Sequence, residues 1–302
     1  MKENLQMHSY TLTALSNVIL SPRSSIAYYR DTDYDPSVLA VPYNVIYPFY
    51  QYGEYEQYNK DANYYIPGSS VKGAVLRGKE TDTLYFDDAD VACESIDFAS
   101  IVRAQYIEFL FPEEYKLTEE TSGHMTAFKP FFESTTGIQC MKADSVASSK
   151  VYYGGELLKK VIEPANAITR ARLDAYIKQL DTLSEKAERI FGESAKEKKQ
   201  VFITNLSVLK ENITKLNEDT SNDNLIFLGG YKGLLRSTNR LSAADLYKRK
   251  TDSDDYFDPI SSAINVDAST KISSSAGADS DEKPIHFDNS TLPYGIVKIA
   301  ID

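Results

Sequence analysis

A short stretch rich in glycine and serine carries the residue types best suited to binding a phosphate. It reads Tyr64-Tyr-Ile-Pro-Gly-Ser-Ser-Val-Lys-Gly-Ala-Val-Leu-Arg77. The apolar start predicts a strand that ends at Ile66, and Pro67-Gly68 predicts a type II turn with a positive φ at the glycine. Ser69 or Ser70 is then the expected N-cap of a helix, since a serine hydroxyl accepts a hydrogen bond from an amide of the first turn.

The predicted strand, turn and helix would form an anion site. The backbone amides at a helix start lack partners within the helix and lie at the positive end of its dipole, so those of residues 68 to 70 suit a phosphate. Lys72 and Arg77 add full positive charges, and Gly73 allows a ligand to approach the backbone closely. The same residues also fit a plain capped helix, and their spacing does not separate the two interpretations.

A second stretch of glycines with basic residues follows the apolar segment 225–228. Its glycines are Gly229, Gly230 and Gly233, and its cations are Lys232 and Arg236. The glycines permit a positive φ and a close approach of the backbone. Their spacing matches neither the nucleotide-binding P-loop nor the Rossmann pattern, so nucleotide hydrolysis is unsupported.

Other chemistries have weaker support in the sequence. His8, His124 and His286 are dispersed, and Cys93 and Cys140 lie far apart without a CxxC pair. We therefore expect no metal, no cofactor and no enzymatic activity, and we expect both cysteines to be buried free thiols.

Three aspartates, Asp87, Asp88 and Asp90, follow the predicted strand that starts at Thr83. Carboxylates this close together could bind a metal ion, but no second carboxylate cluster with matching glycines accompanies them. We interpret the three residues as a solvated turn.

Tyrosine is abundant, with 22 residues, whereas tryptophan is absent. Many of the tyrosines lie between Tyr28 and Tyr65. One interpretation is a surface of packed rings whose hydroxyls stay in water. The other is a platform on which unpaired bases stack, at ~1–3 kcal/mol per base. Composition favours the first.

The charge is unevenly distributed. The chain has 302 residues and a net charge of −11, which argues against a general nucleic-acid binder because phosphate contacts rely on Lys and Arg. Residues 251–302 hold ten acidic and three basic residues, so a basic groove elsewhere is compatible with this total. No apolar run reaches the ~18 residues of a membrane span, and the N-terminus lacks a signal-peptide pattern, so we expect a cytoplasmic protein.

The hydrophobic pattern predicts an α+β fold. Alternation places Tyr10, Leu12 and Ala14 on one face of a first strand. Apolar residues three and four apart predict a helical hairpin over residues 156–217, with its two apolar faces in contact. Strands are predicted at 128–133 and 137–141, joined by a turn, and at 293–301, whereas 101–110 fits a strand or a helix. The acidic, serine-rich residues 251–290 predict a mobile loop.

The stretch Tyr65-Ile-Pro-Gly-Ser-Ser-Val-Lys-Gly-Ala74 resembles a turn and helix of the RAMP superfamily of CRISPR proteins. Members of that superfamily share Ile-Pro-Gly-Ser-Ser, a hydrophobic residue and Lys-Gly. Later stretches are similar to further landmarks in the same order: Phe131-Phe-Glu133 with Gly137, then 228–236, then 292–298. With a helical block between the second and third landmarks, the order is most similar to the fifth Csm subunit of type III-A effector complexes.

The resemblance implies a ferredoxin-like (RRM-like) module over residues 1–150 and a second RAMP-like module over residues 151–302, which contains the hairpin. It implies a subunit that binds guide RNA near its 3′ end, caps the complex and supports guide RNA maturation in antiviral defence. The implied partners are the other Csm subunits and host maturation nucleases. Contacts would be to phosphate and sugar in the two glycine-rich stretches. Arg23 and the two serines that follow it could also bind a phosphate, although the family usually has a His-Ile-Gly-Ser-Gly turn in this region.

Two other functions are open at this point. One is a metal-independent ribonuclease that processes guide RNA, with His8 or His124 and a lysine as acid and base. The other is a structural cap that contacts neighbouring protein subunits alone. Reversing the charge of Lys72 would weaken RNA binding in a guide-binding subunit and would be silent in a structural cap.

Overall fold

The computed structural model describes residues 5–22, 26–35, 43–53, 55–76, 83–99, 101–110, 122–130, 136–154, 157–185, 187–188, 196–229, 262–269 and 292–302. The described part of the chain is α+β with mostly antiparallel sheets, as the hydrophobic pattern predicts. The strands are β1 Gln6–Ala14, β2 Tyr28–Tyr29, β3 Val45–Tyr47, β4 Tyr64–Ile66, β5 Leu84–Phe86, β6 Ala89–Val91, β7 Ile96–Ala99, β8 Ile101–Leu110, β9 Ser122–Pro130, β10 Thr136–Met141, β11 Val146–Tyr153, β12 Leu225–Phe227, β13 Ser262–Ser269 and β14 Ile296–Ile301. The helices are α1 Gly68–Leu76, α2 Leu157–Glu185 and α3 Lys196–Glu218.

The central sheet has the strand order β12-β14-β1-β11-β6-β4, and β5 also pairs with β11. Strand β1 is antiparallel to both β11 and β14. The last strand of the chain therefore completes a sheet that begins with the first strand. The expected boundary between residues 150 and 151 falls inside β11.

The two faces of this sheet have different surroundings. Strand β1 buries Tyr10, Leu12 and Ala14, which confirms the predicted alternation. This inner face packs against α1 and the first turns of α2, through residues such as Val71 and Ala165. The outer face carries the alternate residues, and its side chains on β1 and β11 are exposed or half-buried.

The predicted helical hairpin is present. Helices α2 and α3 run antiparallel, since Asp181 of α2 pairs with Lys210 of α3, and the earlier residue Asp174 pairs with the later residue Asn217. Their apolar faces form one cluster, which also includes Leu225, Phe227 and Ile296 from the outer face of β12 and β14. The hairpin thus covers that end of the outer face.

Two smaller sheets differ from the sequence predictions. Strand β10 pairs with β3 and β7, whereas β9 pairs with β8, so the strands predicted as one hairpin at 128–133 and 137–141 lie in different sheets. Residues 101–110 are a strand. Strand β13 lies within residues 251–290, where we expected a loop, and it pairs with β8.

In the described residues, none of the helices combines the length and apolarity that a membrane span requires.

Candidate nucleic-acid interface

The first candidate site is the junction between β4 and α1. The strand ends at Ile66, as predicted, but the helix begins directly at Gly68. The φ angle of Gly68 is not positive, so the predicted type II turn is wrong. Ser69 and Ser70 lie inside the first turn and are not N-caps, and the Ser70 amide donates to the carbonyl of Pro67 at 2.8 Å.

Gly68 is required for a different reason. A Cβ atom there would lie 1.9 Å from the carbonyl oxygen of Phe86, far inside van der Waals contact. Glycine therefore lets the start of α1 pack against the end of β5. The sequence signal was correct about glycine and wrong about its conformation, because the constraint comes from a strand that is distant in sequence.

The amide of Gly68 already has an anionic partner. It donates a hydrogen bond to Oδ1 of Asp88 at 2.8 Å. The other carboxylate oxygen of Asp88 accepts from the hydroxyl of Tyr52 at 3.4 Å. A carboxylate at the positive end of the helix dipole is stabilised there. A phosphate could therefore bind this amide only by displacing Asp88.

The remaining residues of α1 lie in different surroundings. Lys72 is half-buried, and its Nζ atom lies 5.0 Å from the centre of the Tyr85 ring, a cation–π contact. Gly73 is exposed, and a Cβ atom there would meet no atom within 4 Å. Ser69 is exposed and Ser70 is half-buried. Arg77 lies outside the described residues.

The second candidate site begins at Gly229. The apolar segment before it forms strand β12, and Gly229 has a φ of +89°. A Cβ atom there would lie 2.4 Å from the carbonyl oxygen of Ile19, so no larger residue fits without movement. Gly295, which the sequence analysis did not select, has a φ of +83° and is similarly close to the carbonyl of Leu228.

Three chain segments therefore cross at this point. The Leu228 amide donates to the carbonyl of Gly295, and the Gly295 amide donates to the carbonyl of Asn17. The crossing brings the start of the second glycine-rich stretch beside Ile19, four residues before Arg23. Arg23, Gly230, Lys232, Gly233 and Arg236 lie outside the described residues.

The two candidate sites have different immediate neighbours. Gly68 packs on Phe86 and binds Asp88, whereas Gly229 packs on Ile19. Both sites adjoin the same apolar core, to which Val71 and Leu228 contribute.

His8, Cys93 and Cys140 lie in different parts of the structure. Nδ1 of His8 is 2.8 Å from the carbonyl oxygen of Asp302, and its ring stacks on Tyr153. Cys140 is buried, as expected, but Cys93 is exposed because it lies in a short 3₁₀ turn, Cys93–Ser95, at the surface. Within the described ranges, no three His, Cys, Asp or Glu side chains are grouped to hold a metal ion.

Most tyrosine rings of the region 28–65 pack as predicted, but hydroxyls that were expected to stay in water bond to protein groups: that of Tyr28 accepts from Nε2 of Gln51, and that of Tyr34 donates to the carbonyl of Tyr43. Tyr28 and Tyr34 are buried in a cluster with other rings, among them Tyr58. Tyr52 is an exception, with 48% of its surface exposed while its ring stacks on Tyr65.

The three aspartates that follow β5 do more than form a solvated turn: Asp87 and Asp88 lie between β5 and β6, and Asp90 lies in β6. All three are exposed, but Asp88 closes the start of α1 and Asp87 accepts a hydrogen bond from the hydroxyl of Tyr152 at 3.2 Å. The role of Asp88 was not predicted, because no local pattern in the sequence relates this residue to a helix that begins twenty positions earlier.

A comparison with models of known protein families found no match, and a search of curated proteins found none that is similar.

Proposed function

We propose that this protein is a RAMP-type subunit of a type III-A CRISPR effector complex that binds guide RNA near its 3′ end. In this proposal it caps the complex, supports guide maturation in the cytoplasm and contributes no catalytic residue. The Ile-Pro-Gly-Ser-Ser-hydrophobic-Lys-Gly stretch supports the proposal, and it forms the junction of a strand and a helix. An antiparallel sheet with helices α1 and α2 on its inner face is compatible with a ferredoxin-like module.

The proposal divides the chain into two RAMP-like modules that share the central sheet. The first contributes β1 and most of β11, and the second contributes β12, β14 and the hairpin. The pairing of β1 with β14 would join the modules edge to edge, so that RNA could lie along both.

The observation that carries the RNA-binding proposal is the contact between Gly229 and Ile19. It supports a common binding surface for Arg23 and for the stretch 229–236, since Ile19 and Gly229, which stand shortly before Arg23 and at the start of the stretch, are in contact. Lys232 and Arg236 would contact phosphates there, and the glycines would allow the RNA backbone to approach closely. Lys72 and the hydroxyl of Ser69 would add contacts at α1, and the Gly68 amide would contribute once Asp88 moved away.

A charge-reversal experiment tests this proposal. We would replace Lys232 and Arg236 by Glu together, and Lys72 by Glu separately, in a tagged chain that is co-expressed with the other Csm subunits and a CRISPR array. Lys160→Glu is the matched control, because Lys160 is exposed on α2. The proposal predicts less co-purified guide RNA per complex for the first two variants and no change for the control.

Two results would contradict the proposal. If guide occupancy and guide length are unchanged in all variants while the partner subunits still co-purify, the chain is a structural cap. If RNA is cleaved by the isolated chain without metal, and His8→Ala or His124→Ala abolishes cleavage, the chain is a processing nuclease.

A further inference from the structure

Aromatic rings and carboxylates lie together where β4, β5 and β6 adjoin at one edge of the central sheet. We name this region the acidic tyrosine surface and define it by Tyr52, Tyr65, Tyr85, Asp87, Asp88 and Asp90. Its position is set by the alternation of the strands: Tyr64 and Ile66 are buried on the inner face, so Tyr65 faces outward. The hairpin covers the opposite end of this sheet and leaves the acidic tyrosine surface uncovered among the described residues.

Two rings form a flat platform on this surface. Tyr52 stacks on Tyr65 with ring centres 4.1 Å apart and planes 14° apart. Tyr65 covers one face of the Tyr52 ring, and 48% of the Tyr52 surface stays exposed. Asp90 is the cross-strand neighbour of Tyr65, and its side chain is exposed beside the platform.

The platform lies in a negative environment. Asp88 binds the Tyr52 hydroxyl, and Asp90 lies on the neighbouring strand. Burial raises the pKa of Tyr52 to about 12, with further contributions from Asp88 and Asp90. Among the described residues, Lys72 contacts Tyr85, and Lys150 lies on β11, where its carbonyl accepts a hydrogen bond from the Asp87 amide at 2.9 Å.

A cation already occupies one ring of the surface. The Nζ atom of Lys72 lies 5.0 Å from the centre of the Tyr85 ring, which is itself 48% exposed. This contact shows how a positive side chain fits the tyrosines here. Tyr52 presents a similar ring beside two carboxylates, without a lysine stacked on it in the described residues.

We propose that the acidic tyrosine surface binds an arginine-bearing segment of a protein partner. A guanidinium group is planar, so it can stack on the face of Tyr52 that Tyr65 does not cover while its N–H groups donate to the carboxylate of Asp90. Stacked tyrosines also suit unpaired bases, but a phosphate backbone would lie close to Asp88 and Asp90 and would be repelled. The charge of the surface therefore favours a basic protein segment over RNA.

This inference is independent of the proposed function. A guide-binding subunit would use the surface to contact a neighbouring protein, and a chain with another function would use it in the same way. A failure of guide binding would therefore leave the inference intact, and a failure of peptide binding would leave the proposed function intact.

Peptide binding to the full chain tests the inference. The probes are a short labelled peptide of alternating arginine and glycine, the same peptide with lysine, and a single-stranded oligouridine, each measured by fluorescence anisotropy. The variants are Tyr52→Ala and Asp90→Asn. Tyr29→Ala and Glu163→Gln are matched controls, since Tyr29 is exposed on β2 and Glu163 is exposed on α2.

We expect the arginine peptide to bind more tightly than the lysine peptide, and each variant to weaken it about fivefold, as loss of a stacked or paired cation implies. The controls are expected to change affinity by less than about twofold. Tyr52→Phe keeps the ring and should therefore keep binding the arginine peptide. If Tyr52→Ala unfolds, Tyr52→Phe tests whether the ring alone is sufficient, and Asp90→Asn tests the carboxylate. The inference is overturned if the controls weaken binding equally, or if the variants weaken oligouridine binding instead.

Discussion

The carboxylate of Asp88 accepts a hydrogen bond from the backbone amide of Gly68 at 2.8 Å. An acidic side chain from the turn between β5 and β6 thus closes the start of α1, at the position where the sequence predicts a phosphate. The contact joins the helix to the sheet, and it also links the glycine-rich junction to the acidic tyrosine surface, because Asp88 binds Tyr52 as well.

Removing the Asp88 carboxylate should destabilise the fold. Asp88→Ala leaves the Gly68 amide without its partner, and loss of a helix cap costs about 1 kcal/mol of unfolding free energy. Urea unfolding followed by circular dichroism measures this change. Asp90→Ala is the matched control, because Asp90 is exposed on the adjacent strand, and it should change stability by less than about 0.5 kcal/mol. Equal effects of the two substitutions would refute a capping role for Asp88.

The two glycines of α1 should respond in opposite directions to alanine. Gly68→Ala places a Cβ atom against the backbone carbonyl of Phe86, so we expect a loss of at least about 1–3 kcal/mol. Gly73→Ala meets no neighbour within 4 Å and removes a flexible residue from a helix, so it should stabilise by about 0.5–1 kcal/mol. Thermal unfolding of the two variants distinguishes them. If Gly73→Ala were less stable than the parent chain, the space beside this position could not accommodate a methyl group, which would contradict the prediction.

The two thiols should react at very different rates. Cys93 is exposed, whereas Cys140 is buried, and this burial raises the pKa of the Cys140 thiol to about 12. Since the thiolate is the reactive form, a coloured disulfide reagent at neutral pH should modify one thiol quickly and the second only after unfolding. Cys93→Ser should abolish the fast phase, and Cys140→Ser should preserve it. A fast phase that survives in Cys93→Ser would contradict the burial of Cys140.

Alkaline pH should destabilise the protein through its tyrosines. Burial raises the pKa of Tyr28 and of Tyr52 to about 12, from 10.0 in the unfolded chain. Between these values the folded state keeps protons that the unfolded state releases. Stability is therefore fully present below about pH 10 and falls as the pH rises towards about 12.

A comparison of single variants isolates this effect. Tyr52→Phe cannot ionise at position 52, so its urea midpoint should fall less steeply above about pH 10 than that of the parent chain. Tyr29→Phe serves as the control, because Tyr29 is 55% exposed. An identical pH dependence in Tyr52→Phe and the parent would mean that the Tyr52 phenol titrates normally in the folded protein.

Local patterns in the sequence were enough to predict part of this fold. The spacing of Phe202, Leu206, Leu209 and Ile213 indicates an amphipathic helix, and these residues do face the hairpin core. The alternation around Tyr10 and Leu12 likewise indicates a half-buried strand. In both cases the periodicity of the side chains follows from the geometry of one element alone.

Contacts between distant segments could not be predicted in the same way. The partner of Gly68 is Asp88, and that of Gly229 is Ile19, which is more than two hundred positions away. Residues 128–133 and 137–141 look like a hairpin in the sequence, yet β9 and β10 pair with different strands. Turn residues indicate where a chain reverses, but the burial of side chains decides which strands pair.

The most direct test of the proposed function is the RNA that co-purifies with the chain. The tagged chain would be co-expressed with the other Csm subunits and a CRISPR array, and the bound RNA would be sequenced with and without this subunit in the complex. The proposal predicts guide RNAs trimmed to a defined 3′ end, which become longer or heterogeneous when the subunit is omitted. Recovery of neither guide RNA nor partner subunits would contradict it.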